Sequence, residues 1–590
     1  MAKLIKQMAA MALAGLMLAG CGTPANSNTP ADAPQNTAAA NTNTETKQSE
    51  QPASVPAPTF DVTKVEEFDI LMLGGLSDDL SDMDDMVGKA ITEKTGVKLN
   101  FEFPVGDWAE KLALVIAGGD YPDLIGNKDN AITQLVEAKA LVGLRDKIMS
   151  NAPNIVSYIG DKINRLTYSI DDPEFYGFGS ANNYNEPTPG EYWGVGFGLQ
   201  HDVVIQAGFP EVKDLQDYEK LIADYKAANP EINGQPAIGV SLIAADGWRW
   251  KISVTNPAFL ANGKPDDGEW FVNTDTFQAE FHYKDPNEKE YFRWLNHMND
   301  IGLLDPESFT QSYDAYQAKI SSGRVIGVID ALWSIDIARR EAREVVGEER
   351  DFILFPVLVD PATQNWSSER SSGGVDGGGI MVTTACKNVD KIVNFFDFLA
   401  SDEGQLLKKC GIEGVHYDMI DGVRVTNPEV KAIRLDPNQT LEFRKTSGIG
   451  RYNSIYTPGR GYVTANGIPL DDPFDDTESW ESYTESQRTV LDGYGVRGFN
   501  MLYPSSSEVT ESPFGAAWTL AIGKTEDTEV ILKKAEEITL KAIARAVLAK
   551  PAEFDAEWDK FMKEIEDINI ALLEAEVTAL VAERMQLWGY

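Results

Sequence analysis

Short apolar runs alternate with segments of helical spacing in the part of the chain that follows residue 65. Residues 68–73 form an apolar run that stops at two glycines, which predicts a buried strand. Residues 82–95 have the spacing of a helix, and Gly96 supplies its end. The same reasoning predicts a strand at 97–103, a helix at 107–116 and a strand at 124–125. This alternation is typical of an α/β fold with a mostly parallel sheet.

The alternation continues through the rest of the chain. Helices are predicted at 213–228, 287–301 and 389–399, and strands at 238–242 and 325–329. The C-terminal part is helical, with one apolar stripe at Ile531, Ala535, Ile538 and Ala542 and a second at Phe554, Trp558, Phe561, Ile565, Ile568 and Leu572. Because the chain from 65 to 590 is too long for one core, we expect at least two α/β lobes.

The first 21 residues have the organisation of an export signal. Lys3 and Lys6 precede an apolar stretch at 8–18 that is too short to span a membrane comfortably. The segment ends in Leu-Ala-Gly-Cys at Cys21, which looks like a bacterial lipobox. We therefore expect a lipoprotein signal peptide at 1–20, an acylated Cys21, and a mature protein held at the outer face of the cytoplasmic membrane.

Composition and charge exclude several classes of protein and partner. Residues 21–62 are rich in Ala, Asn, Thr, Pro and Gln, which cannot bury a core, so we expect a disordered tether. The chain has 52 basic and 92 acidic residues, and this formal charge of −40 argues against a nucleic acid partner. Beyond Cys21 only Cys386 and Cys410 remain. Two cysteines form neither a disulfide framework nor a metal cluster. They could be joined in one disulfide, or they could be two buried free thiols.

Six segments, in order along the body of the chain, match motifs of a known family. One is 299–307, Asn-Asp-Ile-Gly-Leu-Leu-Asp-Pro-Glu, which is close to the family's Asn-Glu-Gly-Leu-Ile-Asp-Pro-Glu. The others are 116–124, 225–239, 323–327 with the downstream Trp333, 395–417 and 554–558. On these matches the sequence resembles the type 1 extracellular solute-binding proteins of bacterial ABC importers, in the maltose-binding-like cluster. The subgroup that it resembles is the long Gram-positive lipoproteins linked to oligosaccharide uptake.

The resemblance implies an α/β, two-lobed periplasmic-binding-protein-like fold (type II) with a ligand cleft between the lobes. Lobe 1 would comprise 63–194 and about 373–460, and lobe 2 would comprise 195–372 and about 461–590. A bound oligosaccharide would bridge the lobes of a monomer and favour the closed state, which the transmembrane subunits of an ABC permease could read. Some family members bind calcium near 229–236, but this segment has too few carboxylates here. We therefore expect no metal and no cofactor.

Sugar chemistry directs the choice of candidate binding residues. A pyranose stacks its apolar face on an aromatic ring, and its hydroxyls bond to carboxylates, amides and guanidinium groups. Trp333 matches the family's stacking tryptophan, with core packing as the alternative. Asp330, just before it, is either a hydroxyl acceptor or an acid at a helix start. We expect at least one of Trp248 and Trp250 to stack, and the alternative is a loop aromatic that covers a helix.

Further candidates lie near the crossovers and after a predicted strand. Trp193 falls on the first crossover and either contacts the ligand or packs in the hinge, where the glycines at 194–198 suggest backbone freedom. Asn127 and Asp129 follow the third predicted strand, at the sheet edge where open α/β sheets bind ligands. Asp376 lies among glycines near the second crossover and is a candidate ligand contact.

The alternative to a binding protein is a secreted carbohydrate-active enzyme, such as a glycosidase or a lyase. With so many carboxylates a catalytic pair is available, but their abundance carries little information. The sequence has no Gly-x-Ser-x-Gly elbow, no His-Glu-x-x-His and no Walker loop, and its four histidines are scattered. We expect no catalytic residues. A surface binding or sensing lipoprotein is a third class, and the solute itself stays open to a peptide or another compound.

Overall fold

This computed structural model describes the chain in segments that carry two four-stranded sheets and the helices packed on them. The described residues are 60–74, 82–105, 108–126, 131–181, 195–245, 249–264, 267–363, 375–376, 379–435, 437–452, 463–470, 480, 483–504 and 512–590. All of them belong to one compact unit, Pro52–Tyr590. The predicted signal peptide, Cys21 and nearly all of the predicted tether lie outside the described residues.

The elements follow the alternation that the sequence predicts. The strands are β1 (Glu66–Met72), β2 (Val97–Glu102), β3 (Leu124–Gly126), β4 (Ser180–Ala181), β5 (Val195–Gln200), β6 (Glu231–Ile232), β7 (Gln235–Pro236), β8 (Ile238–Ser241), β9 (Trp270–Val272), β10 (Ala279–Phe281), β11 (Val325–Ala331), β12 (Phe352–Phe355), β13 (Val375–Asp376), β14 (Ile380–Val382), β15 (Tyr417–Ile420) and β16 (Val423–Thr426). The helices are α1 (Met86–Thr95), α2 (Trp108–Gly118), α3 (Ala131–Glu137), α4 (Arg145–Asn151), α5 (Pro153–Ile159), α6 (His201–Ala207), α7 (Leu215–Ala228), α8 (Asn256–Ala261), α9 (Pro286–Asp300), α10 (Tyr313–Ser321), α11 (Asp336–Val345), α12 (Val389–Ala400), α13 (Asp402–Cys410), α14 (Pro428–Leu435), α15 (Pro437–Ser447), α16 (Glu485–Tyr494), α17 (Glu526–Leu548), α18 (Phe554–Asp567) and α19 (Ile570–Trp588).

The sheet of lobe 1 has the order β14-β3-β1-β2. Strands β1, β2 and β3 are parallel, and β14 pairs antiparallel with β3 at one edge. Successive side chains of β1 enter two different cores, with Phe68, Ile70 and Met72 on one face and Leu71 and Leu73 on the other. Helices α1 and α12 supply the first core, and α2 and α3 supply the second. Both faces are therefore covered, as a mostly parallel sheet requires.

The sheet of lobe 2 has the order β12-β5-β11-β8. Strands β8 and β11 are parallel, whereas β5 runs antiparallel to both of its neighbours, β11 and β12. One face packs against α7, α9 and the C-terminal helices α17, α18 and α19. The other face packs against α10 and α11. The prediction of a mostly parallel sheet therefore describes lobe 1, whereas two of the three strand pairings in the lobe 2 sheet are antiparallel because β5 is reversed inside it.

The glycines at 194–198 have a different role from the one that the sequence suggested. Gly196 and Gly198 lie within β5 rather than in a mobile hinge. A Cβ atom added to Gly198 would come within 2.7 Å of Val328 Cγ2 and 2.8 Å of Leu354 Cδ2. Glycine is required at Gly198 because the side chains of the two neighbouring strands close over it, not because the backbone there must move.

The second apolar stripe of the C-terminal region ends earlier than predicted. Phe554, Trp558, Phe561 and Ile565 are buried on α18, as expected. The chain then turns through Asn569 in a left-handed conformation, with φ of 63°. The turn resets the helical phase, so Leu573 is buried on α19 and Leu572 is 41% exposed. The prediction for Leu572 was wrong because the stripe was extended across a helix break.

The two short strands next to the predicted crossovers lie side by side. Strand β4 pairs antiparallel with β13, and Ser180 lies opposite Asp376. The main core beneath the lobe 1 sheet draws its residues from Phe68 to Tyr452, and that of lobe 2 draws its residues from Phe197 to Val581. The lobe boundaries given above stay predictions.

The last helix joins the two lobes. The first turns of α19 bury Ile570, Leu573 and Val577 in the core of lobe 2. In its last turn, the Trp588 ring lies under the guanidinium of Arg165, with 4.1 Å from Cζ to the ring centroid. Arg165 belongs to a short 3-10 helix, Gly160–Leu166, of lobe 1.

Two features bear on export and redox state. None of the helices in the described part of the chain combines the length and the apolar character needed to cross a bilayer. Cys386 and Cys410 are both buried thiols, and they are not joined to each other. This settles the alternative that the sequence left open for the two cysteines.

Candidate functional site

The candidate site in lobe 2 lies at the carboxyl ends of β8 and β11. These strands are parallel, so the segments that follow them emerge at the same edge of the sheet. Strand β5 is antiparallel and begins at this edge, where Val195 lies opposite Ala331 and Gly196 opposite Asp330. The edge therefore collects Arg249 after β8, Trp333 after β11 and the end of the first crossover. Carboxyl edges of open α/β sheets are the usual place for ligands.

Trp333 is the large exposed apolar side chain at this edge. It lies in the turn 331–334, which is closed by a hydrogen bond of 3.0 Å from Ser334 N to Ala331 O. The side chain is 55% exposed, although the strand before it is buried along its whole length. An indole held at a sheet edge offers the flat apolar face that a sugar ring requires. The core-packing alternative therefore does not describe the Trp333 ring.

Asp330 is not presented to a solute in this structure. Its side chain is fully buried, and its oxygens accept hydrogen bonds from Ala331 N at 2.7 Å and from the Tyr316 hydroxyl at 2.8 Å. Burial raises the pKa of Asp330 to about 6, against the opposing effect of these hydrogen bonds. The prediction of a direct hydroxyl contact fails because the carboxyl bonds to the protein's own donors beneath the turn.

Trp250 is also buried, with 5% of its side chain exposed, so its ring offers no open face. It directly precedes a single π-helical turn, Lys251–Thr255, that leads into α8. Its partner in the prediction, Trp248, lies outside the described residues. Between them, the Arg249 guanidinium lies over the Tyr313 ring, with 4.0 Å from Cζ to the ring centroid. This places a cation held by an aromatic side chain at the same edge as Trp333.

The structure adds Tyr503, which the sequence analysis missed. Tyr503 follows a short 3-10 helix, Phe499–Leu502, and is 7% exposed. Its hydroxyl oxygen would lie 2.8 Å from a Cβ atom added to Gly196. Tyr503 therefore stands at the start of β5, beside the residue opposite Asp330. No periodicity surrounds Tyr503, so the sequence contains no signal for this placement.

The side chains of the remaining predicted site residues lie outside the described part of the chain. Strands β1 and β3 are parallel and end at the same edge of the lobe 1 sheet, but Asn127 and Asp129 lie outside the described residues. Trp193 also lies outside them. The backbone of Asp376 pairs in β13, and its side chain is outside the described part. These four residues stay predictions.

The segment at the family's calcium position forms a tight hairpin. Strands β6 and β7 pair through a two-residue turn, in which Asn233 and Gly234 have φ of 52° and 70°. Such a turn favours Asn-Gly because both residues have positive φ. Within the described residues no three Asp, Glu, His or Cys side chains converge as a metal site requires.

Comparisons with known proteins agree with this architecture. The fructooligosaccharide ABC transporter substrate-binding protein FusA of Streptococcus pneumoniae serotype 4 is 22% identical over 500 residues, which cover 82% of this chain and 84% of FusA. The structure of S. pneumoniae FusA in complex with kestose matches with a TM-score of 0.58 at 16% identity, covering 89% of this chain and 99% of FusA. A solute-binding protein from Bifidobacterium longum infantis that is described as binding human milk oligosaccharides (HMO) matches with a TM-score of 0.61 at 12% identity, covering 88% of this chain and 98% of that one. The alginate-binding protein AlgQ2 matches with a TM-score of 0.55 at 18% identity, covering 91% of this chain and all of AlgQ2 (100%).

These likenesses confirm the two-lobed periplasmic-binding-protein-like fold that the motifs implied. A family model described as bacterial extracellular solute-binding protein matches residues 74–406, which is more than half of the chain. The chain belongs to this family of bacterial extracellular solute-binding proteins.

Proposed function

We propose that this protein captures an oligosaccharide between its two lobes and delivers it to the transmembrane subunits of an ABC permease. The observation that carries the proposal is Trp333, an exposed indole at the ligand edge of the lobe 2 sheet. The curated relative FusA is named for fructooligosaccharides, and the similar Bifidobacterium protein for milk oligosaccharides. Both descriptions name the same chemical class of solute.

A carbohydrate suits the described half of the site on chemical grounds. The Trp333 indole supplies a stacking surface, and the Arg249 guanidinium supplies N–H donors for ring hydroxyls. Tyr503 is buried at the same edge, with its hydroxyl beside Gly196, so it packs at the start of β5 and offers no open face. In lobe 1 we propose Asn127 and Asp129 as the polar partners that complete the cleft.

We further propose that Trp193 and Asp376, which flank the crossovers, contact the solute as the lobes close. We propose that the paired strands β4 and β13, which lie next to the two predicted crossovers, provide the axis for that closure. A solute that touches both lobes stabilises the closed state by its additional contacts there. Anchoring through an acylated Cys21 would keep this movement close to the permease.

The first experiment is a thermal-shift screen of residues 22–590 against kestose, nystose, milk oligosaccharides, alginate oligomers and short peptides. A solute present at 100 times its Kd stabilises the folded state by about 2.7 kcal/mol. We expect an oligosaccharide to give this shift, and Trp333→Ala to abolish it. Trp518→Ala is the matched control, since Trp518 is 60% exposed in the same lobe but packs beside Gly268. A shift with peptides alone would refute the choice of solute.

Two further measurements test the remaining parts of the proposal. Chromatography of the incubated sugars should return them intact, whereas cleavage products would favour the glycosidase or lyase alternative. Metabolic labelling with a radioactive fatty acid should mark the full chain and fail with Cys21→Ala. Labelling that persists in Cys21→Ala would refute the anchor.

A further inference from the structure

The turn that carries Trp333 is held from beneath by one buried carboxyl group. We propose that Asp330 is a positioning residue, which fixes the turn 331–334 and thereby the direction in which Trp333 faces a solute. The proposal deepens the function above and rests on it, because it takes Trp333 as the stacking surface. It assigns Asp330 a role through the turn instead of the direct contact that the sequence suggested.

The carboxylate is bonded to the start of the turn and to helix α10. At the start of the turn, Asp330 accepts a hydrogen bond from Ala331 N at 2.7 Å. A second donor, the Tyr316 hydroxyl, reaches the other carboxylate oxygen from α10 at 2.8 Å. The ionised carboxylate accepts both of these bonds.

Helix α10 holds the same turn from its outer side. The backbone carbonyl of Ser334 accepts hydrogen bonds from the Tyr313 hydroxyl and from Gln317 Nε2, the latter at 3.0 Å. Ala331 and Ser334, at the two ends of the turn, are therefore hydrogen-bonded, while the Trp333 side chain between them is 55% exposed. An exposed ring with a fixed base loses little conformational freedom when a solute stacks on it, which is the physical advantage of preorganisation.

Arg249 belongs to the same arrangement. Its charge acts on Asp330 through space, and its guanidinium lies over Tyr313, the residue that bonds the end of the turn. Loss of the carboxylate would therefore remove the hydrogen bonds that Asp330 makes at the turn. It would also remove the negative charge with which Arg249 interacts. Both effects act on the surface around Trp333 without a direct contact between Asp330 and the solute.

The test uses the mature chain labelled with 5-fluorotryptophan, whose Trp333 resonance is assigned by its loss in Trp333→Phe. We expect Asp330→Ala to shift or broaden this resonance and to weaken binding of kestose, or of the best oligosaccharide from the screen, at least tenfold. Asp330→Asn should return the Trp333 resonance to its wild-type position and the affinity to within about threefold of the wild type. The asparagine oxygen can accept from Ala331 N, and the Tyr316 hydroxyl can accept from its amide. If Asp330→Ala does not fold, Tyr316→Phe removes one of the two hydrogen bonds to Asp330 and should shift the same resonance to a smaller extent.

The control is Asp397→Ala. Asp397 is an equally buried carboxyl in lobe 1 that accepts hydrogen bonds from Asn154 N and Ile155 N. Its loss should lower the melting temperature but leave the Trp333 resonance and the affinity unchanged. An unchanged resonance in Asp330→Ala, or an equal loss of affinity in Asp397→Ala, would overturn the positioning role. If Trp333→Ala keeps full affinity, the stacking surface of the proposed function is refuted, while the resonance still decides the role of Asp330.

Discussion

Raising the pH from 6.5 to 9 should destabilise this protein through one buried histidine in lobe 2. His282 lies between two buried carboxyl groups, with 3.3 Å from its Nδ1 to Glu288 Oε1 and 3.7 Å from its Nε2 to Glu269 Oε2. Burial alone disfavours the imidazolium, but the two acids outweigh it and raise the pKa of His282 to about 9. Asn262 holds Glu288 in place with a hydrogen bond of 2.7 Å.

The direction of this pH effect depends on which state of the chain, folded or unfolded, keeps the proton of His282. Below pH 6.5 His282 is protonated in both the folded and the unfolded chain, so its full stabilising effect is present. Between pH 6.5 and about 9 only the folded chain keeps the proton, and the free energy of unfolding falls by about 1.4 kcal/mol for each pH unit. Over this range His282 accounts for a loss of about 3 kcal/mol.

The assay is urea denaturation of residues 22–590 at several pH values from 6 to 9.5. His282→Gln should be less stable than the wild type at pH 6.5, because it leaves Glu269 and Glu288 without their cation, and its stability should lack this fall with pH. His297→Gln, at an exposed position of the same lobe, should keep the fall. If His282→Gln does not fold, Glu288→Gln should narrow the pH range of the fall. A wild-type stability that is level or rises from pH 6.5 to 9 would refute the reasoning.

Three further outcomes follow from the packing of Gly198, the contact of Trp588 with Arg165, and the burial of His201. Gly198→Ala should lower the free energy of unfolding by about 1–3 kcal/mol in urea denaturation, because its Cβ meets Val328 inside the sheet. Trp588→Ala should cost about 1–2 kcal/mol by removing the ring beneath Arg165 and should increase the mean separation of the lobes in small-angle X-ray scattering. Burial lowers the pKa of His201 to about 4, so the wild type should lose stability as the pH falls from 6.5 to 4. Calorimetric unfolding across this pH range should show a smaller loss for His201→Gln.

Strands buried on both faces were the part of the fold that could be predicted from the sequence. β1, β8 and β11 are covered by helices on both sides, so apolar residues occupy most positions of β8 and β11 and the last three positions of β1. Trp333, which follows the run at 325–329, was chosen because it matches the family's stacking tryptophan. Local signals also fixed the end of α1, where Gly96 has φ of 62°.

Contacts across long stretches of chain could not be predicted in this way. Tyr503 reaches Gly196 from an irregular segment, and Arg249 meets Tyr313 through space, so neither pair has a spacing that periodicity reveals. Asp330 illustrates a different limit. Its sequence position beside Trp333 suggested a contact with solute, but only the structure shows that the carboxyl points beneath the turn and is consumed by backbone and hydroxyl donors.

The position of β14 determines the order in which the two sheets can be completed. All four strands of the lobe 2 sheet lie between Val195 and Phe355, in one continuous stretch of chain. Lobe 1 is synthesised first, but the edge of β3 stays unpaired until β14 is made, about 250 residues later. Closing so long a loop slows folding. A growing chain therefore carries an unpaired strand edge through the synthesis of the whole second sheet. Lobe 1 is therefore the first to be synthesised and the second to complete its sheet. Until β14 pairs with β3, the open edge of β3 can pair with a strand of another chain, which would lead to aggregation.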